Sequence, residues 1–185
     1  MKRRLFIALA LLAGAASAQS FKWSEEKANA WYAKQPWLVG ANYLPATAVN
    51  QLEMWQGDTF DDGRVDLEFI WAENLGMNTM RVFLHDLVWK QDQNGFKKRI
   101  ERFLSIAKKH HIRPIFVLFD SCWDPFPEPF HQRPPQPGIH NSRWVQSPGM
   151  KAMADPKQEE RFLDYVANVI LAFADDDRIL AWDVW

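Results

Sequence analysis

The sequence is poor in cysteine, in net charge and in long apolar runs, and each shortage excludes a class of protein. The single cysteine, Cys122, cannot form an internal disulfide. The formal net charge of −1 offers no basic footprint for nucleic acid or for an anionic membrane. Beyond the N-terminus, no apolar run reaches the roughly 20 residues of a transmembrane helix. No glycine-rich turn follows the first predicted strand, which argues against a nucleotide-binding sheet.

The N-terminus predicts export. Basic residues at positions 2–4 precede an uncharged apolar run at 5–16, and Ala16-Ser17-Ala18 has the pattern that a signal peptidase accepts. At about a dozen residues the run is too short to span a bilayer. We therefore expect residues 1–18 to be a signal peptide and residues 19–185 to be a secreted or periplasmic domain, with no membrane attachment after cleavage.

The mature chain alternates apolar runs with amphipathic segments, the pattern of a parallel α/β sheet. Strands are predicted at 37–43, 78–84, 113–120 and 179–185, with helices at about 65–75, at 96–110 and from 155 onward. A complete four-stranded open sheet is one architecture for this pattern. The other is the first four units of a (β/α)8 barrel, truncated after strand four, since a whole barrel needs about 250 residues. We favour the half-barrel because the last strand would otherwise lack a covering helix.

Helical periodicity predicts which helix faces are buried. In the first helix, Leu67, Ile70, Trp71 and Leu75 share one face, and Gly76 occupies the C-cap position. The second helix carries one apolar stripe, made of Phe96, Ile100, Phe103, Leu104 and Ala107.

Two long connections follow the C-terminal ends of predicted strands. Residues 44–62 follow the first strand, and residues 121–155 follow the third and hold seven of the eleven prolines. This edge of a parallel barrel carries the active site, and ordered loops of this length are often functional. A mobile excursion without a function is the alternative.

Charged side chains interrupt two of the strands. Alternation predicts that Arg81 and His85 on strand two face the interior, and that Asp183 on strand four does so too. On strand one, Gly40 would leave room for the Arg81 side chain. A buried arginine must be paired, and Asp120 and Asp183 are the available acids. Such a network either holds the strands in register or orients a catalytic carboxylate, and both readings stay open.

Strand ends supply the candidate ligand contacts. On strand three the predicted inward set is Phe116, Leu118 and Asp120. His85, Asp120 and Trp185 lie at C-terminal strand ends, where barrels bind ligands. For His85, the alternative is a histidine in the core whose hydrogen bonds are made within the protein.

No His, Cys or Asp spacing resembles a zinc or iron site, so no metal is predicted.

Ten tryptophans in 185 residues are the most unusual feature of the composition. Indole faces pack well against flat apolar surfaces such as the C–H faces of sugars. The alternative is that they fill the core, which we expect for about half of these positions.

Four segments carry a family resemblance: Trp37-Leu-Val-Gly-Ala-Asn-Tyr-Leu-Pro45, Asn78-Thr-Met-Arg-Val-Phe-Leu-His85, Pro114-Ile-Phe-Val-Leu-Phe-Asp120 and Ala181-Trp-Asp-Val-Trp185. In this order the segments resemble retaining (β/α)8-barrel glycoside hydrolases, most closely the cellulase-, mannanase- and xylanase-like enzymes of glycoside hydrolase family 5. The resemblance implies that Asn-Glu-Pro, with the acid/base glutamate, follows Trp185. It also places the nucleophile on strand seven, so this chain is expected to be inactive alone.

The resemblance implies roles for the residues of this chain that match the family's motifs. Arg81 becomes the support for the nucleophile, and the candidate sugar contacts are Asn42, Tyr43, His85, Asp120, Trp123 and Trp185. The implied reaction is retaining hydrolysis of a β-linked, β-1,4 polysaccharide or oligosaccharide such as mannan, xylan or glucan, without a metal or organic cofactor. The full-length protein is expected to be a monomer with no nucleic-acid partner.

Two alternatives remain for the function. The first is a non-catalytic carbohydrate-binding α/β protein that uses the aromatic loop alone, although most binding modules are β-sandwiches. The second is an α/β protein of another class.

Overall fold

The computed structural model describes residues 22–185 as two units, and the predicted signal peptide lies outside the described residues. The first unit, which ends at Trp37, contains helix α1 (Glu25–Tyr32). Ser24 caps this helix, because its Oγ accepts a hydrogen bond from the Lys27 backbone N–H at 3.3 Å. Within residues 22–185 no helix is both long enough and apolar enough to cross a membrane.

The second unit, residues 38–185, is built on one parallel sheet. Its four strands lie side by side in chain order: β1 (Gly40–Tyr43), β2 (Thr79–Phe83), β3 (Arg113–Val117) and β4 (Ala181–Asp183). The predicted α/β class and the four parallel strands are confirmed, and each strand is shorter than predicted. This arrangement is that of the first four units of a (β/α)8 barrel.

Helices occupy every connection between the strands. They are α2 (Gln51–Trp55) and α3 (Asp62–Asn74) after β1, α4 (Asp86–Gln91) and α5 (Gln93–Lys109) after β2, and α6 (Met150–Met153), a 3₁₀ turn (Pro156–Gln158) and α7 (Glu159–Ala172) after β3. The three long helices were predicted. The short helices α2, α4 and α6 were not, because segments of four to six residues carry too little periodicity.

An aromatic cluster fills the space between the sheet and the helices. Trp55, Phe69, Phe103 and Phe116 are fully buried, and the Phe103 ring lies 5.4 to 6.0 Å from each of the other three. The Trp55 indole N–H also donates to the Phe83 carbonyl at 2.8 Å. Helix α2 is therefore attached to the end of β2, and its tryptophan belongs to the core.

Helix α3 buries a different face from the predicted one. The buried residues are Val65, Phe69 and Ala72. The four residues predicted for the core are instead 39% to 72% exposed: Leu67, Ile70, Trp71 and Leu75. Both sets recur every three or four residues, so periodicity alone could not choose between them. Gly76 does occupy the predicted position beyond the helix, at φ +76°.

Strand β3 presents the opposite faces to those predicted. Phe116 and Leu118 belong to the helix-side core, whereas Val117 packs with Phe83 and Trp144 on the other face. The strand is apolar on both faces, so alternation contained no sign of which face is inner.

The backbone of β2, and not the predicted Arg81 side chain, is the neighbour that requires a glycine at position 40. A Cβ at this position would lie 2.0 Å from the Thr79 carbonyl oxygen. The glycine therefore allows the β2 backbone to approach closely, and it does not serve to make room for the Arg81 side chain.

Candidate functional site

A cleft of about 410 Å³ opens on the sheet face away from the helices, at the C-terminal strand ends. We call it the main cleft. It brings together five of the residues singled out in the sequence: Asn42, Arg81, Asp120, Trp123 and Trp185. Its lining also includes Phe83, His140, Asn141 and Trp144, which sequence reasoning did not select as site residues. The predicted edge of the sheet therefore carries a preformed concave site.

Arg81 lies in the main cleft and is paired with Asp183. Its Nε and Nη2 lie 2.9 and 2.7 Å from the same carboxylate oxygen, Oδ2. The guanidinium also lies over the Phe83 ring, 4.6 Å from the centroid. Among the described residues its Nη1 makes no hydrogen bond. The arginine is about one-third exposed, so the pair holds the guanidinium in place while one terminal nitrogen stays available to a ligand or to another carboxylate.

Aromatic rings form one side of the main cleft. Trp144 packs edge-on against Phe83 at 5.3 Å and against Trp123 at 5.6 Å. Trp123 is 41% exposed and has φ +76°, a left-handed conformation that is unusual for a bulky residue. Its ring also contacts His140. Strain of this kind persists where the surroundings impose it, and it clusters at functional sites.

The loop that carries these aromatics is tied to the caps of helix α2. The Asn50 side chain donates to the Arg143 carbonyl at 2.9 Å. The Gln56 side chain both accepts from the Phe130 N–H, at 2.6 Å, and donates to its carbonyl, at 2.9 Å. Asn50 and Gln56 are almost fully buried. The loop 121–155 is therefore ordered by buried polar contacts, and it is not an unattached excursion.

His85 lies outside the main cleft, contrary to the prediction. It is fully buried and forms the N-cap of α4, with Nδ1 3.2 Å from both the Leu87 nitrogen and Asp86 Oδ1. Its Nε2 has no hydrogen-bond partner among the described residues. The described part of the chain therefore encloses the His85 side chain. Strand β2 ends at Phe83, and the backbone of His85 is still extended, but α4 begins at the next residue and the His85 side chain serves as its cap.

The buried carboxylate of Asp86 connects three elements. Its Oδ1 accepts a hydrogen bond from the Ser147 hydroxyl at 2.8 Å, and its Oδ2 pairs with Arg161 of α7. Burial raises the pKa of Asp86, but hydrogen bonding and charge from His85, followed by those of Arg161, outweigh it and lower the pKa to about 2. An ionised carboxylate therefore joins the start of α4 to the loop 121–155 and to α7.

Tyr43, also predicted as a sugar contact, does not line the main cleft. Its ring packs against Phe69 at 4.9 Å on the helix side, and its hydroxyl donates to Glu68 Oε2 at 2.9 Å. Burial, followed by the Glu68 hydrogen bond and charge, raises the pKa of Tyr43. Asn42 precedes Tyr43 in the same strand, so the two side chains must point to opposite faces, and only Asn42 lines the cleft.

Asp120 is the acid that lines the main cleft. Its Oδ1 accepts the Cys122 N–H at 2.9 Å, and its backbone pairs with Ser147 in an isolated bridge. Within residues 22–185 no group of three or more His, Cys, Asp or Glu side chains is placed to hold a metal ion. The cleft therefore offers indole faces, amides, one braced guanidinium and one loosely held carboxylate.

Comparison with known proteins supports the architecture. No family model matches the sequence, and no curated protein is significantly similar to it. Among solved structures, the chain resembles the exo-β-1,4-mannosidase Op5Man5 from Opitutaceae bacterium strain TAV5, with a TM-score of 0.56 and 21% identity. The match covers 80% of this chain and 24% of the mannosidase. The chain thus has the fold of the first part of a barrel glycoside hydrolase, and it spans about a quarter of that neighbour.

Proposed function

We propose that this chain forms one side of the substrate cleft of an exported glycoside hydrolase that acts on β-1,4-linked polysaccharides or oligosaccharides. The main cleft is the observation that carries the proposal, because it combines exposed indoles with polar side chains at the edge where barrels place their active sites. The structural likeness to a chain named as an exo-β-1,4-mannosidase supports the same class of reaction.

The residues of the main cleft have complementary roles in this proposal. Trp123 and Trp185 are 41% and 54% exposed, so each can cover the apolar face of a pyranose ring. Asn42 and Asp120 supply an amide and a carboxylate for sugar hydroxyls. Arg81 orients the nucleophile, and its positive charge keeps that carboxylate ionised.

Retaining hydrolysis needs two carboxylates about 5–5.5 Å apart, one as nucleophile and one as acid and then base. Asp183 accepts both hydrogen bonds from Arg81, and Asp120 accepts one from the Cys122 backbone. We assign neither acid to the catalytic pair. In our proposal both catalytic glutamates are contributed by chain that lies C-terminal to Trp185.

Binding to the full chain tests the substrate class. Tryptophan fluorescence would be titrated with mannotetraose, xylotetraose and cellotetraose, with α-linked maltotetraose as the control. We expect saturable binding of at least one β-linked tetraose, no binding of maltotetraose and no release of new reducing ends. Equal binding of the α- and β-linked sugars, or no binding at all, would refute the proposal.

Catalysis is tested in a protein extended beyond Trp185 to include the two proposed glutamates. We expect a 2-deoxy-2-fluoro-β-glycoside to label one glutamate covalently, and Arg81→Met to slow the labelling strongly. An extended protein that binds the sugars but neither hydrolyses them nor takes the label would be the non-catalytic carbohydrate-binding protein.

A further inference from the structure

A second cavity, of about 450 Å³, adjoins the main cleft, and we call it the side cavity. The two share the lining residues Asn42, His140, Asn141 and Trp144. Its outer walls come from the segment that follows β1 and from the middle third of the loop 121–155. A glycan that occupies the main cleft can therefore continue into the side cavity without leaving the surface.

The boundary between the two cavities has unused hydrogen-bonding capacity. Among the described residues, the side chains of Asn42, His140 and Asn141 make no hydrogen bond. Asn141 also has φ +50°, a left-handed conformation that asparagine tolerates better than most residues. Amide and imidazole groups that the protein leaves unpaired at a concave surface can bind the hydroxyls of a polar ligand.

The charge of the side cavity differs from that of the main cleft. Its lining contains Arg143 but no aspartate or glutamate, whereas Asp120 lines the main cleft. The Nε of Arg143 donates to the Pro134 carbonyl at 2.7 Å, which fixes the side chain. Within residues 22–185 no carboxylate pairs with Arg143, so its two terminal nitrogens have no anionic partner. A planar guanidinium in this state matches a carboxylate ligand.

A smaller cavity on the other side of Arg143 is less suited to an anion. It is lined by Asp124 and Glu128 as well as by Arg133 and Arg143. Its two carboxylates would repel an acidic ligand, whereas no aspartate or glutamate lines the side cavity, and the nearby Glu53 and Glu68 accept hydrogen bonds from the backbone of its wall. The anion therefore has one favoured position, next to the main cleft.

We propose that the side cavity binds a sugar unit that carries a carboxylate, a uronic acid, with Arg143 as its partner. Pro135, Ile139 and Trp144 provide the apolar surface for the sugar ring. The inference rests on the proposed function, since it assumes that a neighbouring sugar occupies the main cleft. It narrows the substrate class to β-linked glycans that contain acidic units.

The test compares matched neutral and acidic ligands on the full chain by calorimetry. One pair is xylotetraose and the same tetraose with a glucuronic acid side group, and the other is mannotetraose and the β-1,4-linked tetramer of mannuronic acid. In at least one pair we expect the acidic ligand to bind about tenfold more tightly. The advantage should shrink as the ionic strength rises.

Variants assign the effect to one residue. Arg143→Gln should abolish the acidic advantage and leave neutral binding in place, and Arg143→Lys should keep part of the advantage because it keeps the charge. Arg133→Gln is the matched control, since it removes the same charge from the same loop but does not line the side cavity. Thermal melts would show whether each variant folds.

The outcomes separate this inference from the proposed function. Equal affinities within both pairs, with neutral tetraoses bound, would overturn the acidic subsite and leave the hydrolase proposal standing. An equal loss in Arg133→Gln and Arg143→Gln would also overturn it, because only the overall charge of the loop would matter. If no tetraose of either kind binds, both proposals fall.

Discussion

The two faces of one sheet use aromatic residues in opposite ways. Toward the helices, Trp55, Phe103 and Phe116 are fully buried and pack ring against ring. On the other face, Trp123 and Trp185 are about half exposed and line a cleft. The difference shows that the high tryptophan content has two physical origins, a core and a proposed binding surface. Stability should therefore depend on the first face, and ligand binding on the second.

The largest expected effect on stability comes from removing a buried aromatic side chain on the helix side of the sheet. Trp55→Ala should lower the free energy of unfolding by about 3–5 kcal/mol, because it leaves a large cavity and removes the hydrogen bond to the Phe83 carbonyl. Urea denaturation measures this. Trp71→Ala is the control: Trp71 is 49% exposed on α3, so we expect a change within about 0.5 kcal/mol. Similar losses in the two variants would contradict the division between the faces.

A smaller effect on the free energy of unfolding is expected from Asp86, which lies at the junction between the two faces. Its pKa of about 2 lies below the ordinary value of 3.8. Stabilisation from a carboxyl whose pKa is lowered by folding is complete above the unfolded pKa and is lost as the pH falls through the folded one. The chain should therefore lose about 2 kcal/mol of stability between about pH 4 and pH 2 through this group.

Asp86→Asn should already lack that contribution near neutral pH and should have a flatter acid limb. Urea denaturation at a series of pH values would measure both slopes. Parallel acid limbs in the two proteins would show that another group controls the acid sensitivity. The ion pair with Arg161 would then be of minor importance.

The cleft face gives the smallest expected change in stability but a clear change in binding. Trp123→Ala should weaken the binding of a β-linked tetraose about tenfold, with little effect on unfolding. Tyr43→Phe is the matched control, because it removes the hydroxyl that bonds to Glu68 on the helix side. We expect it to cost about 1 kcal/mol of stability and to leave binding unchanged. Weaker binding in Tyr43→Phe would restore the predicted sugar contact of Tyr43.

Much of the architecture was predictable at positions where a charged residue interrupts an apolar strand. Arg81 and Asp183 interrupt apolar strands, and a charge in such a place has few possible partners. The stripe of α5 was predictable for a related reason, since its other faces are strongly polar. All five predicted residues are buried: Phe96, Ile100, Phe103, Leu104 and Ala107.

The predictions were wrong where the local sequence pattern does not indicate which face of the sheet a side chain points to. Strand β3 is apolar on both faces, and Asp120, which belongs to the predicted inward set, lies beyond the strand's last residue. The same extension past a strand end misplaced His85. Trp144 and His140 were missed as site residues because the loop 121–155 is positioned by Asn50 and its other distant contacts, and no nearby pattern reveals them.

Fluorine NMR of the chain labelled with 5-fluorotryptophan tests the central claim most directly, since all ten indoles report separately. Resonances would be assigned by single Trp→Phe variants. On saturation with the best neutral tetraose, the resonances of Trp123, Trp144 and Trp185 should shift, while those of Trp55 and Trp71 should not. Trp71 is as exposed as Trp123 but lies on the helix side. Shifts at Trp71, or none at Trp123 and Trp144, would contradict the assignment of sugar binding to the main cleft.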